Sequence, residues 1–563
     1  MRVLIWHGWL LEGSGSNVYT ARVAEVFRAN GHEVVLVCQE PHPERYPWID
    51  AWATLDGDGP SALIQNGGER AAGRCVLLRP RIGDLLPVFV IDRYEGFGTV
   101  RRFVDLTDVQ LGCFLRTNVE ALRAAVARHG SRVVIAGHAV PGPAIAGRAL
   151  GPGRYIAKVH GSDIEYAIRE QDRYLQLARE GLTGARSVVG GSRDVLERCE
   201  ALVPEISGRL RVVPPGVDTT AFQPRSRRPA LLESADLLDA DPSTIRGRPA
   251  AFDAKVGEAL ARRDAAAIDA LAGTYDQEVP DPDASTALRR LADSDRPIVG
   301  YLGKLIPQKG VELLLVARAS LSQDPIALIV GFGSHREWLA ALATALRDRD
   351  AGALDWLRAG ERVGIDVLSF EGRDDSDDDP DVMFTGRLDH RYAPGTVAAM
   401  DVLVVPPILD EAFGMVAAEG AAAGALPLVA RHSGLAEVAD MLETEVGRPW
   451  LFSFEPGPGA AARLASGIDR LLSVPIDEHE ELRRTVSAPD EGSRVPWRQR
   501  YARHASTRRS DRGASTTSQD PAKGSPRDER PCERERAHAA QRRDDERLDV
   551  ARAVRNLITP RVR

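Results

Sequence analysis

No stretch of this sequence reaches the roughly 18 consecutive apolar residues that a membrane-crossing helix needs. The opening run Met1-Arg2-Val3-Leu4-Ile5-Trp6 is short and is interrupted by His7-Gly8, so a signal peptide is not expected. Cysteine is scarce. The five present (Cys38, Cys75, Cys113, Cys199, Cys532) are scattered, with no Cys-x-x-Cys and no framework spacing. That excludes a disulfide scaffold and a zinc module and suits a reducing compartment. An excess of basic charge is also missing: the formal net charge is −8, which argues against general nucleic-acid binding. No Gly-x-Ser-x-Gly elbow is present for a serine hydrolase. No GxGxxG follows the first strand, which weakens a nicotinamide-binding reading. The chain reads as soluble and cytoplasmic.

What is present is enough for more than one core. At 563 residues with 43% hydrophobic content, the chain is expected to form two domains with additions. Short β-rich runs alternate with helical stretches. Val3–Trp6, Val34–Cys38, Val133–Ala136, Ile156–Val159 and Val188–Gly190 are strand candidates, with an amphipathic helix over Tyr19 to Asn30 that Gly31 stops. A Pro-rich connector, Arg211-Val-Val-Pro-Pro-Gly-Val-Asp218, closes this half. The alternation resumes at Pro297–Gly303 and continues through Ala327–Gly331, Val382–Thr385, Val402–Val405 and Leu426–Ala430. Such alternation predicts α/β architecture with parallel sheets covered by helices on both faces. The expected domains are 1–215 and 296–485, each Rossmann-like. Residues 225–295 read as a helical insertion between them. Residues 337–381 give two helices and the acidic run Asp374-Asp-Ser-Asp-Asp-Asp-Pro-Asp381, which precedes a strand and reads as solvated rather than as a metal site. The Arg-rich tail 493–563 has too few apolar residues to offset ordering and is expected to be mostly disordered, with a short helix near Leu548 to Ile558.

The segment Glu411-Ala-Phe-Gly-Met-Val-Ala-Ala-Glu419 carries the most chemistry. It follows the strand at Val402 through Pro406-Pro407 and leads into a small-residue helix over Met415 to Gly424. Ligands bind at that end of a parallel sheet. Carboxylates accept from sugar hydroxyls, and helix-start amides donate to phosphate. A nucleotide sugar offers both groups. Gly303-Lys304-Leu-Ile-Pro-Gln-Lys309-Gly310 places two lysines on another strand-to-helix loop, where they can neutralise a diphosphate. Val159-His160-Gly161-Ser162-Asp163 places a polar histidine after a strand. Asp163 is read either as its orienting partner, as an acceptor contact or as a helix cap. The Gly-rich stretch Gly8 to Asn17, with Gly13, Gly15 and Ser16, follows the first strand and lets a ligand approach backbone. Gly331-Phe-Gly333-Ser334 ends a further strand, and Gly386-Arg387 ends another.

Taken in order, these segments resemble the Glu-x7-Glu motif and its companions in retaining glycosyltransferases, in particular glycosyltransferase family 4 (glycosyl transferases group 1). The resemblance covers roughly residues 1 to 475 outside the insertions. It implies the GT-B fold: two doubly wound Rossmann-like domains facing an interdomain cleft, here with helical insertions and a disordered C-terminal tail. It implies transfer of a hexose-type sugar from a nucleotide diphosphate sugar to an acceptor hydroxyl, with retention and without a metal or other cofactor. His160, Lys304, Lys309 and Glu411 would be catalytic. Gly13, Gly15, Ser16, Asp163, Gly303, Gly331, Arg387, Phe413, Gly414, Met415 and Glu419 would bind substrate. Within that set, Glu411 would hold sugar hydroxyls, Glu419 the ribose, and Arg387 the base region. Ser433-Gly-Leu-Ala-Glu437 resembles the Gly-x-x-Glu turn that follows the next strand. Lys304 stands where many members have Arg, which replaces a bidentate fork by a point charge. The acceptor, whether glycan, lipid or small molecule, is open, and Arg101-Arg102-Phe103 is read as a small basic patch for weak peripheral membrane association. The GT-B closing helix is expected near Ile468 to Leu482 or is missing. Other readings are a nucleotide-sugar epimerase or hydrolase, and a non-catalytic nucleotide-sugar-binding protein.

Overall fold

The computed structural model of the protein describes residues 1–487, apart from 57–58, 68–70, 92–93, 95 and 361–381. The acidic run at 374–381, the tail expected from 493 and the helix expected near 548–558 lie outside the described residues. The chain divides at Pro214 and Pro215 into two compact units.

The strands of the first unit are β1 (Arg2–Trp6), β2 (Glu33–Val37), β3 (Ala51–Asp56), β4 (Gly59–Pro60), β5 (Ile64–Gln65), β6 (Arg74–Pro80), β7 (Leu85–Val88), β8 (Thr99–Arg102), β9 (Val133–Gly137), β10 (Ile156–Lys158), β11 (Ser187–Gly190) and β12 (Leu210–Val212). Its α-helices are α1 (Gly15–Ala29), α2 (Asp108–His129), α3 (Gly142–Leu150), α4 (Asp172–Gly184) and α5 (Arg193–Leu202). The main sheet runs β12-β11-β10-β9-β1-β2-β6-β3-β4. It is parallel from β12 to β3, and only β4 and β5 run antiparallel to β3. Alternate residues of each strand feed opposite cores, so both faces must be covered. Val3, Ile5, Val34, Leu36, Cys75 and Leu77 pack with Ala24 and Phe27 of α1. Leu4, Trp6, Val35, Val37, Val76 and Leu78 pack with Phe114 and Leu122 of α2 and Ile145 of α3. This two-sided burial is why the strands read as continuous apolar runs.

Two expectations need correction here. The sequence reading places no strand between residues 38 and 133, yet β3 and β6 extend the sheet and β7 pairs with β8 there. Helix α1 starts at Gly15 rather than Tyr19, because Ser14 caps it by accepting from the Asn17 amide. At Arg101-Arg102-Phe103 both arginines are exposed at the surface. Phe103 is 1% exposed in the core, and Arg102 forks onto Asp105 at 2.9 Å.

The second unit opens with α6 (Arg227–Asp239), α7 (Phe252–Ala261), α8 (Ala265–Leu271) and α9 (Ala284–Asp293). Its sheet holds β13 (Ile298–Lys304), β14 (Ile326–Phe332), β15 (Val382–Phe384), β16 (Val402–Val405), β17 (Leu426–Ala430) and β18 (Ser453–Phe454). The order is β15-β14-β13-β16-β17-β18, all parallel. The other helices are α10 (Val311–Arg318), α11 (Arg336–Arg347), α12 (Ala351–Ala359), α13 (Ala393–Ala398), α14 (Met415–Ala422), α15 (Ser433–Val446), α16 (Ala460–Leu472) and α17 (Ile476–Ser487). The two helices nearest the expected closing position pack on this unit: α16 against α10, and α17 against α14 and α15.

The inserted helices are fastened to this sheet. α6 packs on α9 and α13, and α7 packs on α11. Arg248 forks onto Glu337 of α11 at 2.8 and 2.9 Å, with side chains only 2% and 1% exposed. Tyr275 donates to the same Glu337 at 2.9 Å. Asp401, between α13 and β16, gathers three segments. Arg227 at the start of α6 ion-pairs with it, the Ile298 amide donates to it at 2.8 Å, and Arg483 of α17 lies 3.7 Å away.

Candidate functional site

In each unit the chain reverses direction across the sheet at one point. The second unit proceeds from β13 outward to β14 and β15, then returns to β16 on the other side of β13. Loops leaving the carboxyl ends of strands diverge there and leave a crevice. The loop 305–310 leaves β13 and the loop 406–414 leaves β16. Lys309 on the first forms an ion pair with Glu411 on the second. Both side chains are about a third exposed, so the pair faces solvent rather than the core. Lys304, the last residue of β13, sits over the Phe332 ring at 5.6 Å, and Arg387 lies over the same ring at 5.3 Å. Register explains the grouping: Gly303 is opposite Gly331, and Lys304 is opposite Phe332. The Gly331 amide donates to the Gly386 carbonyl at 3.0 Å. One edge of the sheet therefore collects Gly303, Lys304, Gly331 and Arg387.

The loop after β13 is braced from behind. His335 bonds buried Glu312 at 2.8 Å, and its amide donates to the Leu305 carbonyl at 2.9 Å. The loop after β16 is braced by α15. Ser433 accepts from the Glu411 amide at 2.9 Å, and the Gly434 amide donates to the Glu411 carbonyl at 3.0 Å. A Cβ on Gly434 would stand 2.6 Å from the Phe413 Cα and 2.7 Å from the Ala412 carbonyl oxygen, so only glycine allows this approach. His432 adds a bond to the Pro407 carbonyl at 2.9 Å. The stretch 433–437 is thus the start of a helix that fixes the backbone of Glu411. Gly414 has φ +93 and precedes α14, a conformation that favours glycine. It turns the chain so that α14 begins at Met415 and carries Glu419 in its second turn. Glu411, Phe413, Gly414, Met415 and Glu419 are brought together in this way.

Arg387 has a charged partner. Its guanidinium is held by Glu278 at 2.5 Å, from the inserted segment before α9. The side chain is thereby tied down, and the sequence reading did not foresee Glu278.

The first unit reverses between β1 and β9, and three histidines follow the strands there: His7 after β1, His138 after β9 and His160 after β10. His138 and His160 have ring centroids 4.6 Å apart, and His7 stacks on His138 at 5.9 Å. Trp9 meets His138 edge-on at 4.4 Å. All three histidines are at most 9% exposed. Burial holds their pKa values down, that of His7 to about 4 and those of His138 and His160 well below the usual value. They are neutral at pH 7. His7 bonds Asn17 at 2.9 Å and Thr20 at 3.2 Å, both on α1, so the helix that starts at Gly15 positions it. Lys158 is buried beside them, donates to the Val159 carbonyl at 3.2 Å and lies over Tyr19 at 4.9 Å. Burial lowers its pKa to about 8.

Asp163 is fully buried and makes no side-chain cap on the following helical turn. It accepts from the Ala139 amide instead, and its carboxylate lies 3.7 Å from His138. Burial raises its pKa. Gly13 and Gly15 leave open space, since a Cβ on either would meet nothing within 4 Å. Ser16 lies in the first turn of α1, 3.1 Å from Ser14. Sequence reasoning found His160 but missed His7 and His138, although each follows a strand in the same manner. Among the described residues no group of three or more His, Cys, Asp or Glu is disposed to hold a metal ion, and no helix is long and apolar enough to cross a membrane.

Residues 13–221 match the family model described as Glycosyltransferase Family 4, and residues 296–473 match that of Glycosyl transferases group 1. The chain belongs to the family 4-like GT-B glycosyltransferases. The two matches together cover more than half of it. A GDP-mannose-dependent alpha-(1-6)-phosphatidylinositol monomannoside mannosyltransferase of Mycolicibacterium smegmatis is 30% identical over 169 residues, 28% of this chain and 36% of the relative. An uncharacterised glycosyltransferase of Methanocaldococcus jannaschii is 28% identical over 181 residues, 32% of this chain and 36% of the relative. The matched region is thus about a third of the length of these curated relatives. Among solved structures, sucrose-phosphate synthase of Thermosynechococcus elongatus aligns with a TM-score of 0.50 at 17% identity, over 91% of this chain and 100% of that one. This glycosyltransferase-family chain therefore shares the GT-B fold.

Proposed function

We propose that the protein is a metal-independent, retaining glycosyltransferase. It moves a hexose-type sugar from a nucleoside-diphosphate sugar to an acceptor hydroxyl. The observation that carries this reading is the Lys309–Glu411 pair at the point where the second sheet reverses, next to the start of α14. A cation, a carboxylate and helix-start amides at one place suit a diphosphate joined to a polyol.

In the proposed step the bond between the anomeric carbon and the diphosphate oxygen breaks. The acceptor oxygen bonds to the same carbon on the same face, and its proton passes to the departing phosphate. Lys309 and Lys304 stabilise the negative charge that grows on the leaving group, which is where electrostatic catalysis gains most. Glu411, released from Lys309 when phosphate takes that cation, accepts from sugar hydroxyls. Glu419 accepts from the ribose. His160 is a neutral donor or acceptor beside the sugar, in keeping with its depressed pKa.

The test is nucleoside-diphosphate release from UDP-, GDP- and ADP-sugars, with Lys309→Ala and Glu419→Ala alongside. Loss of one charged donor to the leaving group is expected to lower turnover by roughly 10²–10³. Absence of both binding and release across all three donors, in folded protein, would overturn the assignment.

A further inference from the structure

We propose that the inserted helical segment reads the base of the nucleotide, through Glu278 acting with Arg387, and that the pair selects guanine. This rests on the proposed function, which puts a nucleoside diphosphate at the end of the second sheet.

The insertion does more than decorate the fold. Its stretch 275–283 lies along the carboxyl end of β15. Pro280 forms an antiparallel bridge with Gly386, and the Asp281 amide donates to the Thr385 carbonyl at 2.9 Å. Gly386 has φ +70, and a Cβ there would stand 2.6 Å from the Asp281 amide nitrogen. The stretch is clamped on its other side by the buried Arg248–Glu337 fork and by Tyr275. The Glu278 amide donates to Asp276 at 3.0 Å, and Asp276 pairs with Arg246 at 2.6 Å. Glu278 is therefore presented by a fixed backbone.

Its carboxylate meets the Arg387 guanidinium at 2.5 Å, and Arg387 lies over the Phe332 ring. The result is a donor fork and an acceptor side by side at the end of β14 and β15, beyond the lysines that face the diphosphate. Guanine presents one acceptor, O6, next to two donors, N1–H and the 2-amino group. That edge fits an arginine followed by a carboxylate. Uracil places a second carbonyl where the carboxylate stands. Adenine has no donor at N1. A charged acceptor facing a carbonyl or a bare ring nitrogen is repulsive and left unpaired, which is how such sites discriminate.

The experiment measures binding of GDP, IDP, UDP and ADP to the full chain by calorimetry, with Glu278→Gln beside the unaltered protein. IDP differs from GDP only in lacking the 2-amino group, so it probes the carboxylate without any substitution. GDP is expected to bind at least about tenfold more tightly than IDP, UDP or ADP, the scale of one charge-assisted hydrogen bond. In Glu278→Gln the GDP–IDP gap closes to within about twofold. The inference is overturned if GDP and IDP bind alike, if UDP or ADP is preferred, or if Glu278→Gln retains the gap. If none of the four binds, the proposed function itself falls, and the base assignment with it.

Discussion

Glu337→Gln tests whether the insertion folds as part of the second unit or is merely attached to it. Arg248 and Glu337 are almost wholly buried and share two hydrogen bonds. Removing one partner of such a pair typically costs about 3–5 kcal/mol, because the other charge stays buried and uncompensated. Arg248 keeps a second partner, Asp253 at 2.8 Å, but that carboxylate is 69% exposed, and exposed pairs contribute only about 0.2–1 kcal/mol. The expected loss is therefore near the lower end, about 3 kcal/mol. For a domain of this size it corresponds to a melting point lower by about 6–12 °C. The assay is thermal melting followed by circular dichroism, with proteolysis mapping cuts within 227–293. The double variant Arg248→Met, Glu337→Leu removes both charges and should recover most of the loss, since an apolar pair of similar volume is often as stable. A melting point within about 1 °C of the unaltered protein for Glu337→Gln would refute the reasoning. So would a double variant no better than the single one.

The first unit should lose stability on acidification. His7 is held neutral to about pH 4 when folded but takes a proton near 6.5 when unfolded. The unfolded chain then binds more protons between those values. The His7 contribution is full above about 6.5 and falls as pH drops towards 4, by up to about 3 kcal/mol, with His138 and His160 adding in the same direction and Asp163 and Glu40, whose pKa values burial raises, opposing it in part. Denaturant titrations at pH 7 and pH 5 check this, and equal midpoints would contradict it. Gly434→Ala forces α15 away from Phe413 and Ala412, and overpacking of this kind costs about 1–3 kcal/mol. Because the displaced segment carries Glu411, nucleoside-diphosphate binding should weaken about tenfold or more, and a calorimetric affinity equal to that of the unaltered chain would exclude this bracing role.

Most of the strands that were legible lie inside a sheet covered on both faces, with β15 at an edge. Val402, Leu403 and Val404 are all fully buried, and in Val133–Ala136 the residues Val133 and Ile135 pack on one core while Val134 and Ala136 belong to the other, so both runs are apolar throughout. β3 and β6 were missed because alternation with Thr54, and the ends at Asp56 and Pro80, blur the pattern. Lys304, Lys309, Glu411 and Glu419 could be nominated from sequence because strand-to-helix loops keep chemistry local in sequence, and the Lys309–Glu411 pair joins two of those loops. Glu278 could not, since it stands 109 residues before Arg387 and only the fold of the insertion joins them. His7 and His138 carried a usable signal, a histidine directly after a strand, that was recognised only at His160.

Asp401 gathers the opening of the second unit and its last described helix onto one carboxylate, through Arg227 and Arg483. Tension applied between residues 227 and 487 would load that knot, at the amino-terminal ends of β13 and β16, first. The loops 305–310 and 406–414 at the far ends of those strands are thus shielded from pulling on either tether. The same closeness of ends makes the unit a ring in all but covalent terms, suited to circular permutation: a short peptide could join them and a new opening be cut elsewhere on the surface.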